Sequence, residues 1–180
     1  VAPELFHRKG RRIEIEYTNR QEIMPLLGSL RNDEIIHDVV DTIEFLKTLP
    51  TANPSDVSTV GFCVGGFASA LCATKIPLRK MIAFYGGGMI HERPGIGLHP
   101  ILNDLKKLKV PALFFFGGQD ASIPPHDVKM LETTLKEAHA PFELEVFPNS
   151  DHGFFCDERK VFNQVDASVA WKKTLHFLKS

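Results

Sequence analysis

The 180 residues carry 21 Lys and Arg against 22 Asp and Glu, with 43% hydrophobic and 24% charged residues. That length suits one domain with a sizeable core, and the near-zero charge offers no basic field to nucleic acid or anionic lipid. The longest apolar stretch, Val110–Phe116, falls well short of the ~20 residues that cross a bilayer, and three cysteines without C-x-x-C spacing point to reduced thiols in a cytosol, not to a disulfide scaffold or a zinc site.

The chain opens Val1-Ala2-Pro3, with neither an initiator Met nor a signal-peptide pattern, as though it begins inside a longer sequence. The stretch from Arg11 to Leu30 is the least readable; Ile13, Ile15 and Tyr17 alternate as a strand would. Ile35, Ile36, Val39, Val40, Ile43, Leu46 and Leu49 then recur at helical spacing, with Asn32 or Asp33 as the expected cap and Pro50 as the stop. Asp56–Val60 reads as a short strand and Gly65–Lys75 as a small-residue helix. Met81–Tyr85 and Pro111–Phe116 are apolar strands, cut by Gly86-Gly87-Gly88 and Gly117-Gly118. Val128–Ala138 is helical, Phe142–Phe147 is a fourth strand, and Ala167–Leu178 is a closing helix. Near-continuous apolar strands separated by helices predict an α/β fold, a mostly parallel sheet with helices on both faces.

In such sheets reactive groups collect at the carboxyl ends of the strands. Gly61-Phe62-Cys63-Val64-Gly65-Gly66 follows the first strand and has the G-x-nucleophile-x-G spacing of a nucleophile elbow, with cysteine as the nucleophile. The turn is expected to be too tight for side chains at positions 61 and 65, and it would set the Cys63 sulfur at a helix N-terminus, where a thiolate is favoured. The Val64 N–H would face a developing oxyanion. A buried structural cysteine in a glycine-rich turn is the plainer alternative. Asp120, on the glycine loop after the third strand, suits the carboxylate of a triad, or equally a cap for the helix near Pro124. His152 lies in the loop after the fourth strand. Nucleophile, acid and histidine thus follow one another in the α/β-hydrolase order, each after its own strand.

These motifs, together with Phe84-Tyr85-Gly86, Gly117-Gly118-Gln119-Asp120, His152-Gly153-Phe154-Phe155-Cys156-Asp157-Glu158-Arg159 and the stretch Ala170-Trp171 to Phe177-Leu178, resemble the dienelactone hydrolase family of α/β hydrolases over essentially the whole chain. The resemblance implies hydrolysis of a lactone or carboxylic ester through a Cys63-His152-Asp120 triad and a thioester acyl-enzyme. It places Arg8 on the family's arginine for the substrate carboxylate and Tyr85 on a tyrosine lining the site. The family's second substrate arginine falls on Cys156, which leaves Arg159 as the nearest cation. Against the family plan, residues 1–180 form one α/β-hydrolase domain that lacks its first strands, so an open sheet edge is expected, covered by a partner or by a longer native chain. The absent part would carry the second oxyanion donor and a glutamate that partners the resting cysteine.

Gly86-Gly87-Gly88 reads as a connection, Phe114-Phe115-Phe116 as buried strand, Cys72 as core, and His37, His139 and His176 as surface. His91 and His99 flank a Gly/Pro-rich loop, but that spacing in a loop makes no ligand set, so no metal and no cofactor are expected. The expected partner is a small ester or lactone, with no nucleic acid or membrane, in a monomer or homodimer. Two other readings stand beside this one: a general carboxylesterase for neutral esters, and a non-catalytic binding domain or inactive fragment on the same scaffold.

Overall fold

The computed structural model describes residues 1–180. In chain order the elements are α1 (Arg20–Ser29), α2 (Asn32–Leu46), β1 (Ser58–Phe62), α3 (Val64–Ala73), β2 (Lys80–Phe84), α4 (Leu102–Leu105), β3 (Ala112–Gly117), α5 (Pro125–Glu137), β4 (Phe142–Phe147) and α6 (Gln164–Lys179). The four strands form one sheet in the order β1-β2-β3-β4, every pair parallel, with Val60 opposite Ile82, Ile82 opposite Leu113 and Leu113 opposite Glu143.

The burial pattern follows from this order. β2 and β3 are central, and all their residues are buried, as continuous apolar runs require when both faces of a parallel sheet are covered. Phe114, Phe115 and Phe116 sit in the core, each 1% exposed or less. β1 and β4 are edge strands and mix covered with exposed positions. α3 lies against β1 and β2, α2 against α3, and α6 against β3. The outer edge of β1 pairs with no strand, and a hollow of about 290 Å³ beside it is lined by residues of α2, β1, α3 and the opening segment. No helix is long and apolar enough to cross a membrane.

Two local expectations are corrected. Ile13, Ile15 and Tyr17 form no strand. Alternation makes a strand only where a neighbour offers a hydrogen-bonding ladder, and here Arg12 turns the chain with φ 52° while Tyr17 lays its ring under the Arg159 guanidinium at 3.8 Å. The same stretch continues into α1, a helix despite Pro25 inside it; Asn19 caps it by accepting from the Glu22 N–H and donating to the Glu22 side chain at 2.8 Å. α2 begins without a side-chain cap, after Arg31. Asn32 instead exchanges two hydrogen bonds with the backbone of His99, at 3.0 and 3.1 Å, tying the helix to the long loop after β2.

At the turn from β1 to α3 the steric demand is unequal. A Cβ on Gly61 would stand 1.9 Å from the Gly65 carbonyl oxygen, and one on Gly66 would stand 2.7 Å from that of Phe84, whereas one on Gly65 would meet nothing within 4 Å. The expected crowding at position 65 is therefore absent, and the constraint falls on positions 61 and 66. Gly61→Ala is expected to destabilise the protein by about 3 kcal/mol or more, because backbone must move. Gly65→Ala, in the first turn of a helix, is expected to stay within about 1 kcal/mol of the parent. Urea denaturation of the two variants side by side checks this, and equal costs would contradict it.

Candidate active site

The turn that needs Gly61 also sets the conformation of Cys63, with φ 53° and ψ −117° at the N-cap of α3. A non-glycine residue in that region is strained, and such strain gathers at functional sites. Its result is a sulfur at the start of a helix, 3.1 Å from His152 Nε2. The other imidazole nitrogen, Nδ1, lies 2.7 Å from Asp120 Oδ2. Asp120 is 3% exposed, and its Oδ1 accepts from the N–H groups of Ser122 and Ile123 at 2.7 and 3.2 Å. The carboxylate thus braces its own loop and orients the histidine; α5 starts later, after Pro124, so Asp120 is not its cap.

The loop bearing His152 is fastened from below. The Ser150 carbonyl accepts from the Gln119 N–H at 2.9 Å, which joins the acid loop to the histidine loop. Ser150 Oγ donates to Asp166 Oδ2 at 2.6 Å, and Asn163 donates to both side chains, so α6 holds the same loop. Phe154 and Phe155, just past His152, pack into an aromatic layer with Phe84, with ring centroids 6.5 and 5.0 Å away. These contacts fix the imidazole between its two partners.

Burial disfavours charge on both members of the sulfur–imidazole pair, yet their mutual contact outweighs it. The His152 imidazolium, opposed by desolvation, is favoured by hydrogen bonds to Asp120 and Cys63 and by their charge, and its pKa rises to about 9. The Cys63 thiol is raised by burial but drawn down by His152, by the Val64 N–H and by the positive field of Arg159, and its net shift is downward. The two shifts favour a thiolate–imidazolium pair near neutrality. Cys72, buried without such partners, is pushed up to about 12.

Cys63, Val64 and His152 line a cavity of about 320 Å³. Its walls come from α1 (Arg20, Met24, Leu27), from Phe67 of α3, and from the loop after β2, where Arg93 lies against Gly87. No carboxylate pairs with Arg20 or Arg93; the arginine ion pairs of the chain belong to Arg8 and Arg79. Neither of these two lining arginines is evident from the sequence. The Asn19-x-x-Glu22 cap could have revealed α1, whereas only the fold brings Arg93 to the cavity.

The other expected substrate contacts fall elsewhere. Arg8 does not line this cavity: its guanidinium makes a two-pronged contact with the buried Asp38, both bonds 2.8 Å, beside a separate hollow between the opening segment and the start of α2. A bidentate arginine–carboxylate pair leaves little donor capacity for a ligand. Tyr85, with φ 37°, is 3% exposed and sits behind His152, ring centroids 5.2 Å apart; burial pushes its phenol upward. Arg159 lies outside the lining, stacked on Tyr17 and close to Gly153. It reaches Cys63 through its field alone.

Known proteins resemble this chain in sequence and in fold. The family model described as "Dienelactone hydrolase family" matches residues 1–180. A Synechocystis protein named "Putative carboxymethylenebutenolidase" is 33% identical over 175 residues, covering 96% of this chain and 71% of its own length. An Escherichia coli K12 protein of the same name is 28% identical over 183 residues, covering 99% of this chain and 65% of its own. The crystal structure of a Klebsiella pneumoniae protein, described as "Putative Dienelactone Hydrolase", superposes with a TM-score of 0.86 at 26% identity, over 99% of this chain and 74% of that one. The dienelactone hydrolase-like promiscuous phosphotriesterase P91 from metagenomic libraries shares the fold at 16% identity, with a TM-score of 0.73 over 94% of this chain and 70% of that one. The chain therefore spans only part of the length of these relatives, from 65% to 74%. With the family match running from the first residue to the last, the chain belongs to the dienelactone hydrolase family.

Proposed function

We propose that this chain hydrolyses a lactone or carboxylic ester that carries a negative charge, using Cys63 as nucleophile, His152 as acid and base, and Asp120 as the group that orients and charges His152. The observation that carries this reading is the continuous hydrogen-bonded line Cys63–His152–Asp120, 3.1 and 2.7 Å, opening on one cavity. The Cys63 thiolate attacks the carbonyl carbon, and the oxygen that becomes negative is met by the Val64 N–H at the start of α3. As the carbon–oxygen bond of the ester or lactone breaks, the His152 imidazolium gives its proton to the leaving oxygen, and a thioester remains on Cys63. Water then attacks the thioester while His152 takes its proton, and the carboxylic acid product leaves a free thiolate.

The two unpaired guanidinium groups, Arg20 and Arg93, support the preference for an anion. A general carboxylesterase for neutral esters is the second reading, favoured by Cys156 at the position where an arginine is expected and by the engagement of Arg8 with Asp38.

Cys63→Ala is expected to lower kcat/KM for an aryl ester or lactone by at least about 10³-fold, with circular dichroism unchanged; undiminished turnover would overturn the mechanism. Iodoacetamide is expected to label Cys63 faster than Cys72 at neutral pH. The labelling rate of Cys63 should rise with pH through a midpoint below that of an ordinary thiol, because its thiolate is stabilised, and in His152→Gln that midpoint should move to higher pH. An unmoved midpoint would separate the histidine from the sulfur. Arg93→Gln is expected to raise KM for a carboxylate-bearing lactone by about 10-fold, with little effect on a neutral aryl ester. Equal effects on both substrates would favour the second reading.

A further inference from the structure

We propose that His91, His126 and Asp127 form a site for a divalent transition-metal ion of the zinc type, apart from the cysteine cavity. His91 lies in the loop after β2, and His126 and Asp127 lie in the first turn of α5. Their donor atoms all fall within 4.8 Å of one another. His126 Nε2 stands 3.1 Å and His91 Nε2 3.4 Å from Asp127 Oδ1.

The condition of that oxygen gives the cluster its meaning. Asp127 Oδ1 is shut off from solvent and receives no hydrogen bond, although two imidazole nitrogens stand beside it. Neither N–H is aimed at it, so the histidines approach the carboxylate without satisfying it. A buried carboxylate oxygen in that condition is costly, and a cation between the three donors removes the cost. The two imidazole–carboxylate separations fit such an ion. With metal–nitrogen and metal–oxygen bonds of about 2.0–2.2 Å, two ligands of a tetrahedral centre lie about 3.3–3.6 Å apart, close to the observed 3.1 and 3.4 Å.

The donor set selects the metal. Two imidazoles and one carboxylate suit zinc, nickel, cobalt or copper, whereas calcium and magnesium ask for an all-oxygen shell. Both histidines are well exposed, so the ion can enter from solvent and keeps a water ligand. The sequence offered His91 and His99 as the pair to weigh; His99 in fact faces Glu92 at 3.2 Å, and the partners of His91 come from a helix 35 residues further on. An ion here would clamp the loop after β2 to α5, and Glu92, Arg93 and Pro94, which follow His91, wall the Cys63 cavity.

Zinc alone, titrated against a chromophoric chelator into metal-stripped protein, tests the site. Cys63→Ala is the background throughout, so that the thiolate cannot act as a ligand. One zinc per chain is expected to bind, and His91→Ala, His126→Ala and Asp127→Asn should each weaken it at least about tenfold. Asp127→Asn keeps the side-chain shape and shows that lost binding is not lost folding. Magnesium should not compete. Absence of saturable zinc binding, or the same affinity in His91→Ala, overturns the proposal.

Discussion

Everything chemical in this molecule hangs on the contact between the end of β1 and the start of α3, where Gly61 lies so close to the Gly65 carbonyl that no side chain fits between them. That approach forces the turn, the turn puts Cys63 at φ 53°, and the strained residue carries its sulfur to the head of α3. The helix contributes a backbone N–H and the positive end of its dipole, both of which favour negative charge. A looser connection would leave the same cysteine in the sheet as an inert thiol. Cys72, nine residues on and fully buried in α3, shows that alternative directly: without a partner its thiol is pushed upward.

The second requirement is that the imidazole stay where the turn has placed the sulfur. Three elements share this work. The loop after β3 supplies Asp120, itself locked by the N–H groups of Ser122 and Ile123. α6 supplies Asp166 beneath Ser150, and the aromatic layer from Phe84 to Phe155 supports the loop from the side. Because Asp120 is buried, its charge acts on His152 through little intervening solvent, which favours an ion pair with the sulfur against the desolvation that opposes it.

How much of this could be read in advance depended on whether a signal was local. Strand, glycine turn and reactive residue lie side by side at Cys63, Asp120 and His152, and the parallel sheet brings successive strand ends to one edge, so their meeting followed from order alone. β2 and β3 were legible for the same reason: a strand buried on both faces is apolar throughout. The cavity wall was not. α1 contains Pro25 and buries none of its residues fully, so it lacks the apolar stripe that marks a packed helix, yet it contributes Arg20, Met24 and Leu27 to the cavity. Arg8 illustrates the opposite failure. A position matched by resemblance says nothing of Asp38, 30 residues later, which takes both prongs of its guanidinium.

The proposed reaction passes through an acyl group on Cys63. Intact-mass spectrometry of the protein, quenched in acid during turnover of an ester or lactone that deacylates slowly, tests it most directly. One added acyl group per chain is expected, located on Cys63 by peptide mapping and released by hydroxylamine as a thioester is. Turnover with no adduct in the Cys63 peptide, or an acyl group on any other residue, would contradict it.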